Sequence, residues 1–458
     1  MSEAVFADSL QYSAMKKRSV SARSYRTKIA PTNGATFGPD QVIQIDLPGN
    51  LAGNYYDFSS MYLKFKLTNT AAAISLDRCG AFGFIKRLQI STAGAAICDI
   101  NNWNVLATAM LDTDASQEWK AGYGNVMMGT LGDSLRGVEQ AQNASRVYCV
   151  PLVLNPLFNT TPHRLIPAFS LSSLQIRLTL DSAASAVVSA GVPTLSFTEV
   201  ELVCMMTELS PAAQAQVDAA AGGKYMILAN SYMNSQASLA IGATQLTANL
   251  GFSMSSLERI IAVHRPSTTI ASQTAFSLGN RCTSDLTQFQ YLINSESYPA
   301  RPVVVDSAGA ESTAEFLIAD HALVDFNKGA SLTYGVVAVG TLGVATGALS
   351  GVAPNVVKAA SFVEANPAGT TAGASAAAAN AATASNIGTF IIATDFENGL
   401  SVGKSSSIYS GISTIASNVQ WLGTYDTAPA AAQVDFFACY SVLLSLDTRG
   451  SSVWAVSI

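Results

Sequence analysis

The stretch "SLQIRLTL" (173–180) places Leu174, Ile176, Leu178 and Leu180 on one side and Gln175, Arg177 and Thr179 on the other. A period of two marks a strand with one face buried and one face wet. A helix would scatter the same four aliphatic side chains around its circumference. The pattern recurs in "VIQIDL" (42–47) and in "MYLKFKL" (61–67), where Met61, Leu63, Phe65 and Leu67 oppose Tyr62, Lys64 and Lys66. Further strand candidates in the first half are "FIKRLQIS" (84–91), "VYCVPLVL" (147–154) and "TLSFTEVELVCMM" (194–206). One helix is expected near "NWNVLATAMLD" (102–112).

The second half repeats the style. Its candidates are "YMILANSYM" (225–233), "LERIIAVH" (257–264), "LTQFQYLI" (286–293), "AEFLIADHALV" (314–324), "LTYGVVAV" (332–339), "TFIIAT" (389–394) and "VDFFACYSVLLSL" (434–446). In the last of these, Val434, Phe436, Ala438, Tyr440, Val442, Leu444 and Leu446 share a face. Between the halves lies "LSPAAQAQVDAAAGGKY" (209–225). Ser210 suits an N-cap, Pro211 the first helical position, and Gly222–Gly223 a stop, so 210–223 is predicted to be a linker helix. An echo accompanies this division: Leu88-Gln89-Ile90 and Phe289-Gln290-Tyr291 stand 201 residues apart, about the length of one β-sandwich domain. The organisation expected is therefore an arm over 1–41, a first domain over 42–209, the linker, and a second domain over 224–458 carrying a long loop excursion over 340–388. Within that excursion, "ANPAGTTAGASAAAANAATASNIG" (365–388) has too few large apolar side chains to bury much core.

Hydrophobic residues make up 49% of the chain and charged residues only 12%. So low a charge fraction leans toward surfaces covered by other subunits. The charge that exists is unevenly placed. Of 25 Lys+Arg and 31 Asp+Glu, residues 1–28 hold six basic groups (Lys16, Lys17, Arg18, Arg23, Arg26, Lys28) and two acids. The other 430 residues are left with 19 basic and 29 acidic groups. A basic arm on an acidic body points to an anionic partner, against the plainer reading of a solvated tail. The arm lacks the apolar core of a signal peptide, so synthesis without a secretion signal is expected, and the six scattered Cys are expected to be reduced, buried thiols. Residues 329–357 carry no charge, but six Gly, repeated Ser and Thr, and Pro354 argue against a membrane-spanning helix.

The sequence offers little catalytic chemistry. His163, His264 and His321 stand in no metal or nucleophile motif, and "TPHRLIPAF" (161–169) reads as a turn. "GLSVGKSS" (399–406) ends like a phosphate-binding loop at Gly403-Lys404-Ser405, but the position that needs the first glycine is Asn398. "LDTDASQEW" (111–119) lines up Asp112, Asp114 and Glu118 without the glycine and terminal glutamate of a calcium loop, so a solvated helix start is expected. The sequons at Asn143 and Asn159 lack a secretory context. No catalytic residue, cofactor or metal is assigned.

Several segments together resemble the double jelly-roll major capsid proteins of tailless icosahedral DNA viruses. "QIDLPGNLAGNYYDFSSMYLKFKLTN" (44–69) is similar to the opening strands of the first roll, and "GAFGFIKRLQISTAGAAICDINNWNVL" (80–106) to the strand, turn and short helix that follow. "FQYLINSESYPARPVVV" (289–305) resembles the equivalent strand of the second roll, and "VDFFACYSVLLSLDTRG" (434–450) a closing strand. The resemblance implies an all-β chain of two consecutive eight-stranded jelly-roll sandwiches with a few short helices. It also implies homotrimeric, pseudo-hexagonal capsomers in a virion, in contact with neighbouring capsomers and with penton or minor capsid proteins. The N-terminus would sit at the inner base, where Lys16, Lys17, Arg18, Arg23, Arg26 and Lys28 would face genome or an internal membrane. The excursion over 340–388 would supply an outer tower or a trimer contact. A different class, a secreted or surface β-sandwich enzyme or carbohydrate-binding protein, would require a signal peptide, loop aromatics and a carboxylate pair in a cleft. Trp103, Trp119, Trp421 and Trp454 are instead dispersed.

Overall fold

The computed structural model describes residues 22–49, 51, 53–92, 96–131, 136–160, 164–170, 174–222, 224–270, 272–273, 275–282, 284–305, 310–319, 338–339, 355–356, 390–397, 411–426, 431–447 and 454–457.

In the first half the principal strands are β1 (Ala22–Ile29), β2 (Val42–Leu47), β3 (Asn54–Thr70), β4 (Ile85–Ser91), β5 (Ala96–Ile100), β6 (Ser145–Pro151), β7 (Leu174–Leu180) and β8 (Thr194–Leu209). They form two antiparallel sheets, ordered β1-β8-β3-β6 and β2-β7-β4-β5. Helix α1 (Trp103–Asp114) follows β5, and helix α2 (Pro211–Ala221) leads out of the first half. The second half supplies β9 (Lys224–Leu239), β10 (Gln245–Asn249), β11 (Leu257–Pro266), β12 (Leu286–Ile293), β13 (Glu296–Val304), β14 (Ile392–Asp395), β15 (Val419–Tyr425) and β16 (Ala432–Asp447). Its sheets run β9-β16-β11-β14 and β10-β15-β12-β13, the same order strand for strand. The chain is thus two eight-stranded jelly rolls in tandem. The sequence echo falls on topologically equivalent strands, β4 and β12.

Alternation explains the sandwiches. In β7 every second residue from Leu174 to Leu180 is buried, as the period of two requires. Between the two sheets of the first roll, Phe65 lies 5.3 Å and Phe84 5.3 Å from Phe197, ring centre to ring centre. Trp421 does the same work in the second roll, stacked 5.2 Å from Phe289 and edge-on to Tyr291 at 5.1 Å. Each such fully buried ring contributes about 1.5–3 kcal/mol through burial, with more from ring geometry. Strand β16 departs from alternation: Asp435, Phe437 and Cys439 are buried along with Val434, Phe436 and Ala438. Its second face is turned toward the first roll, where Asn102 meets Asp435.

The linker helix forms with the predicted caps. The Ser210 hydroxyl accepts from the Ala213 N–H, Pro211 is the first helical residue, and Gly222 closes the helix at φ 62°.

Two expectations require correction. Residues 22–29, assigned by sequence to the arm, are the first strand of the first roll, paired with β8 from Ala22↔Leu209 to Ile29↔Leu202. Their charges hid the alternation, because only Tyr25, Thr27 and Ile29 turn inward. "AEFLIADHALV", predicted as a strand, lies in helix α3 (Ala310–Ala319) up to residue 319. Its buried residues, Ser312, Phe316 and Ala319, recur at intervals of four and three, which is helical spacing. The rest of that segment, the tract 365–388 and "GLSVGKSS" lie outside the described residues. Within 329–357, Ala338–Val339 pair antiparallel with Asn355–Val356. Among the described residues no helix is long and apolar enough to cross a membrane.

Candidate functional site

Two places in the fold concentrate charge: the edge strand β1 and the junction between the rolls.

Strand β1 is the outer edge of its sheet. It carries three of the six basic residues named from the sequence: Arg23, Arg26 and Lys28, all exposed. Lys28 Nζ lies 3.3 Å from Glu201, which also takes Lys64 at 3.2 Å. Arg23 packs over the Tyr25 ring at 5.5 Å, and the Tyr25 hydroxyl donates to Asn54 at 3.2 Å. Exposed contacts of this kind are each worth about 0–1 kcal/mol, so the strand is held mainly by its backbone pairing and by Ile29. Lys16, Lys17 and Arg18 lie outside the described residues. The three described cations line an edge, which also blunts it against unwanted strand pairing.

The junction is buried and polar. At its centre is Asp112, which lies in the last turn of α1 and is fully buried. This overturns the expectation of a solvated helix start at Asp112, Asp114 and Glu118. The helix begins at Trp103, so Asp112 falls at its C-terminal end, while Asp114 and Glu118 are exposed. Three cations surround the carboxylate: Lys120 Nζ at 2.5 Å, Arg78 Nε at 3.3 Å, and Arg281 from the second roll on the other oxygen. Burial alone would raise the Asp112 pKa, but Arg78, Arg281 and Lys120 hold it well below the usual carboxylate range.

Other pairs cross the junction. Asp77 of the first roll accepts from the backbone N–H groups of Leu278 at 2.8 Å and Gly279 at 3.1 Å. A Cβ on Gly279 would sit 2.3 Å from Arg78 Cδ, so only glycine allows this approach. Asp435 of the second roll accepts from Asn102 of the first at 2.9 Å, from Gln236 at 2.7 Å and from Arg265 at 2.7 Å. Such networks favour one arrangement of the two rolls, because any other strands a buried charge.

None of Arg78, Lys120, Arg281, Asp77, Arg265 or Asp435 was singled out from sequence. One signal was available. The dipeptide Arg-Cys occurs twice, at 78–79 and 281–282, each time shortly before the equivalent strands β4 and β12. The two repeat-related arginines converge on one carboxylate.

His264 is fully buried on β11, with Nε2 3.1 Å from the Tyr425 hydroxyl. Burial lowers its pKa from 6.5 to about 3, so the folded protein holds it neutral. The unfolded chain takes up the proton near pH 6.5, so this contribution is complete above pH 6.5 and is lost as pH falls toward 3. The expected slope is about 1.4 kcal/mol per pH unit across that window. His264→Gln should flatten the acid limb of a stability-against-pH curve, and an unchanged limb would refute the assignment. His163, His321 and Lys404 lie outside the described residues. Trp103 and Trp421 are fully buried and offer no surface platform for a sugar ring.

No protein-family model matches the sequence, and no curated protein sequence does either. Solved structures do match. The PBCV-1 virus capsid is similar over 98% of this chain and 99% of its own, at 12% identity and a TM-score of 0.57. The Sputnik virophage structure is similar over 99% and 92%, at 10% identity and a TM-score of 0.56. The mavirus major capsid protein is similar over 99% and 93%, at 11% identity and a TM-score of 0.54. At these identities the likeness establishes the fold: a double jelly roll of the kind found in viral major capsid proteins.

Proposed function

We propose that this double jelly-roll chain is a structural subunit of an icosahedral virus shell, built as a homotrimer whose six rolls make a pseudo-hexagonal tile. The observation that carries this reading is the match of both rolls, in tandem and in the same order, to viral capsid structures over more than nine-tenths of either chain. Two similar rolls per chain and three chains per tile approximate sixfold packing, which lets one protein cover a flat facet. A chain with 12% charged residues and 49% hydrophobic residues suits large buried subunit contacts. The role is mechanical, and no catalytic step is assigned to any residue. Neighbouring tiles are the main partners, with penton or minor capsid proteins where facets meet.

In this reading the N-terminal region faces the particle interior. Lys16, Lys17, Arg18, Arg23, Arg26 and Lys28 then meet the phosphates of a genome or of an internal membrane. Such contacts are independent of sequence, weakened by salt, and additive over many copies. Replacing all six with Gln should leave trimers intact while loosening the contents of the particle at moderate salt. Unchanged retention would leave the arm without an anion-binding role. For the subunit itself, sedimentation of purified protein should give a species near three times 47.7 kDa. A stable, folded monomer at micromolar concentration would count against the proposal.

A further inference from the structure

The junction between the rolls brings two sheet edges together. Strand β5, at the edge of its sheet in the first roll, packs against β9, at the edge of its sheet in the second. Just beyond β5, Asn102 donates to Asp435, which also accepts from Gln236 of β9. Both edges are well covered. Ile97, Cys98 and Ile100 are buried in β5, and Ile227, Ala229, Ser231 and Tyr232 in β9.

The repeated topology gives each edge a counterpart. In the second roll β13 takes the place of β5, and in the first roll β1 takes the place of β9. The registers agree: β1 opens with Ala22 opposite Leu209, the last residue of β8, and β9 with Lys224 opposite Asp447, the last of β16. The counterparts are bare. Val303 is the one buried residue of β13, and Ile29 the one buried residue of β1. Gln236 stands 12 residues beyond Lys224, as Gly34 stands 12 beyond Ala22, so the equivalent of the junction surface lies between Ile29 and Phe37. That stretch continues the β1 edge, because Thr36 and Phe37 pair with β8 as well. Residues 29–39 carry no charge, and Ala30, Thr32 and Ala35 are exposed. On β13, Ala300, Pro302 and Val304 are exposed, and Arg301 is the only charge between Ser297 and Val305. Pro299 and Pro302 have no N–H to offer another strand, so this edge suits packing through side chains rather than extension of a sheet. Depletion of charge is the mark of a surface buried against protein.

We propose that β13 of one chain packs against residues 29–37 of a second copy, repeating between chains the contact that β5 makes with β9 within one. The inference rests on the homotrimer proposed above and says which surfaces close it. A contact between two different surfaces must either close into a ring or run on as a filament. Steps that alternate within and between chains close after six rolls, which is three chains, and leave neither edge bare.

The test is cross-linking of the full chain carrying Ala30→Cys and Ala300→Cys, both exposed positions, with a short bismaleimide. Covalent trimers on a denaturing gel are expected from the double variant and not from either single variant. Trimers in sedimentation that yield no covalent species would overturn the inference while leaving the homotrimer standing. Absence of trimers in sedimentation would instead remove the homotrimer itself, and the inference with it. A second variant, Ala300→Asp, changes a residue exposed in the single chain and should leave the fold intact. It should raise the concentration at which trimers dissociate about tenfold or more, and trimers as tight as wild type would overturn the assignment of β13.

Discussion

Asp112→Ala is expected to prevent the chain from closing its two rolls on each other. The substitution removes the carboxylate that Arg78, Lys120 and Arg281 share, and leaves three buried basic side chains without it. Breaking a buried pair from one side costs about 3–5 kcal/mol, and here three pairs share the same partner. That loss is a large part of the roughly 5–15 kcal/mol that holds a typical domain together. The expected outcome is insoluble protein or a denaturation midpoint far below wild type. Asp99→Ala provides the contrast. Asp99 is partly exposed and pairs with Arg87 at 2.5 Å, so its loss should cost no more than about 1 kcal/mol. Equal effects of the two substitutions, or a stable Asp112→Ala protein, would contradict the role given to the junction.

Truncation should separate two parts of the N-terminal region that look alike in the sequence. Removing residues 1–21 leaves β1 in place, and the shortened protein should fold with wild-type stability. Removing residues 1–29 deletes β1, strips eight paired residues from β8 and uncovers the packing of Tyr25 and Ile29. The newly bared edge of β8 would offer unpaired N–H and C=O groups to any other chain. Aggregation or failure to fold is expected for the longer deletion only, measured as soluble yield and as the thermal midpoint of what remains. If both truncations behave like wild type, β1 is not an integral strand of the first roll.

The outcome for β1 shows what could be read in advance. Strands β2, β4, β7 and β12 were legible because each has one buried and one wet face, and alternation is a local property. Helix α2 was legible from its caps, Ser210, Pro211 and Gly222. Strand β1 was not, because at a sheet edge only Tyr25, Thr27 and Ile29 turn inward, and the cations between them read as a solvated arm. Strand β16 hid its role for the opposite reason. Both of its faces are buried, and only the tandem arrangement explains why an Asp sits among aromatic neighbours. Asp112 was noticed and misjudged. Its partners Arg78 and Arg281 stand 34 and 169 positions away, and nothing local to residues 111–119 indicates burial. Ion pairs that depend on how two domains meet leave no periodic trace in either one. The repeated Arg-Cys dipeptide was the single local clue, and it gains meaning only once the two rolls are known to share a topology.

Electron microscopy of the purified protein tests the central claim most directly. The account predicts particles of three chains with a pseudo-hexagonal outline, in which six jelly rolls stand side by side and the β1 edges of the three chains lie at one common base. Single double-roll monomers, or assemblies without threefold symmetry, would contradict it.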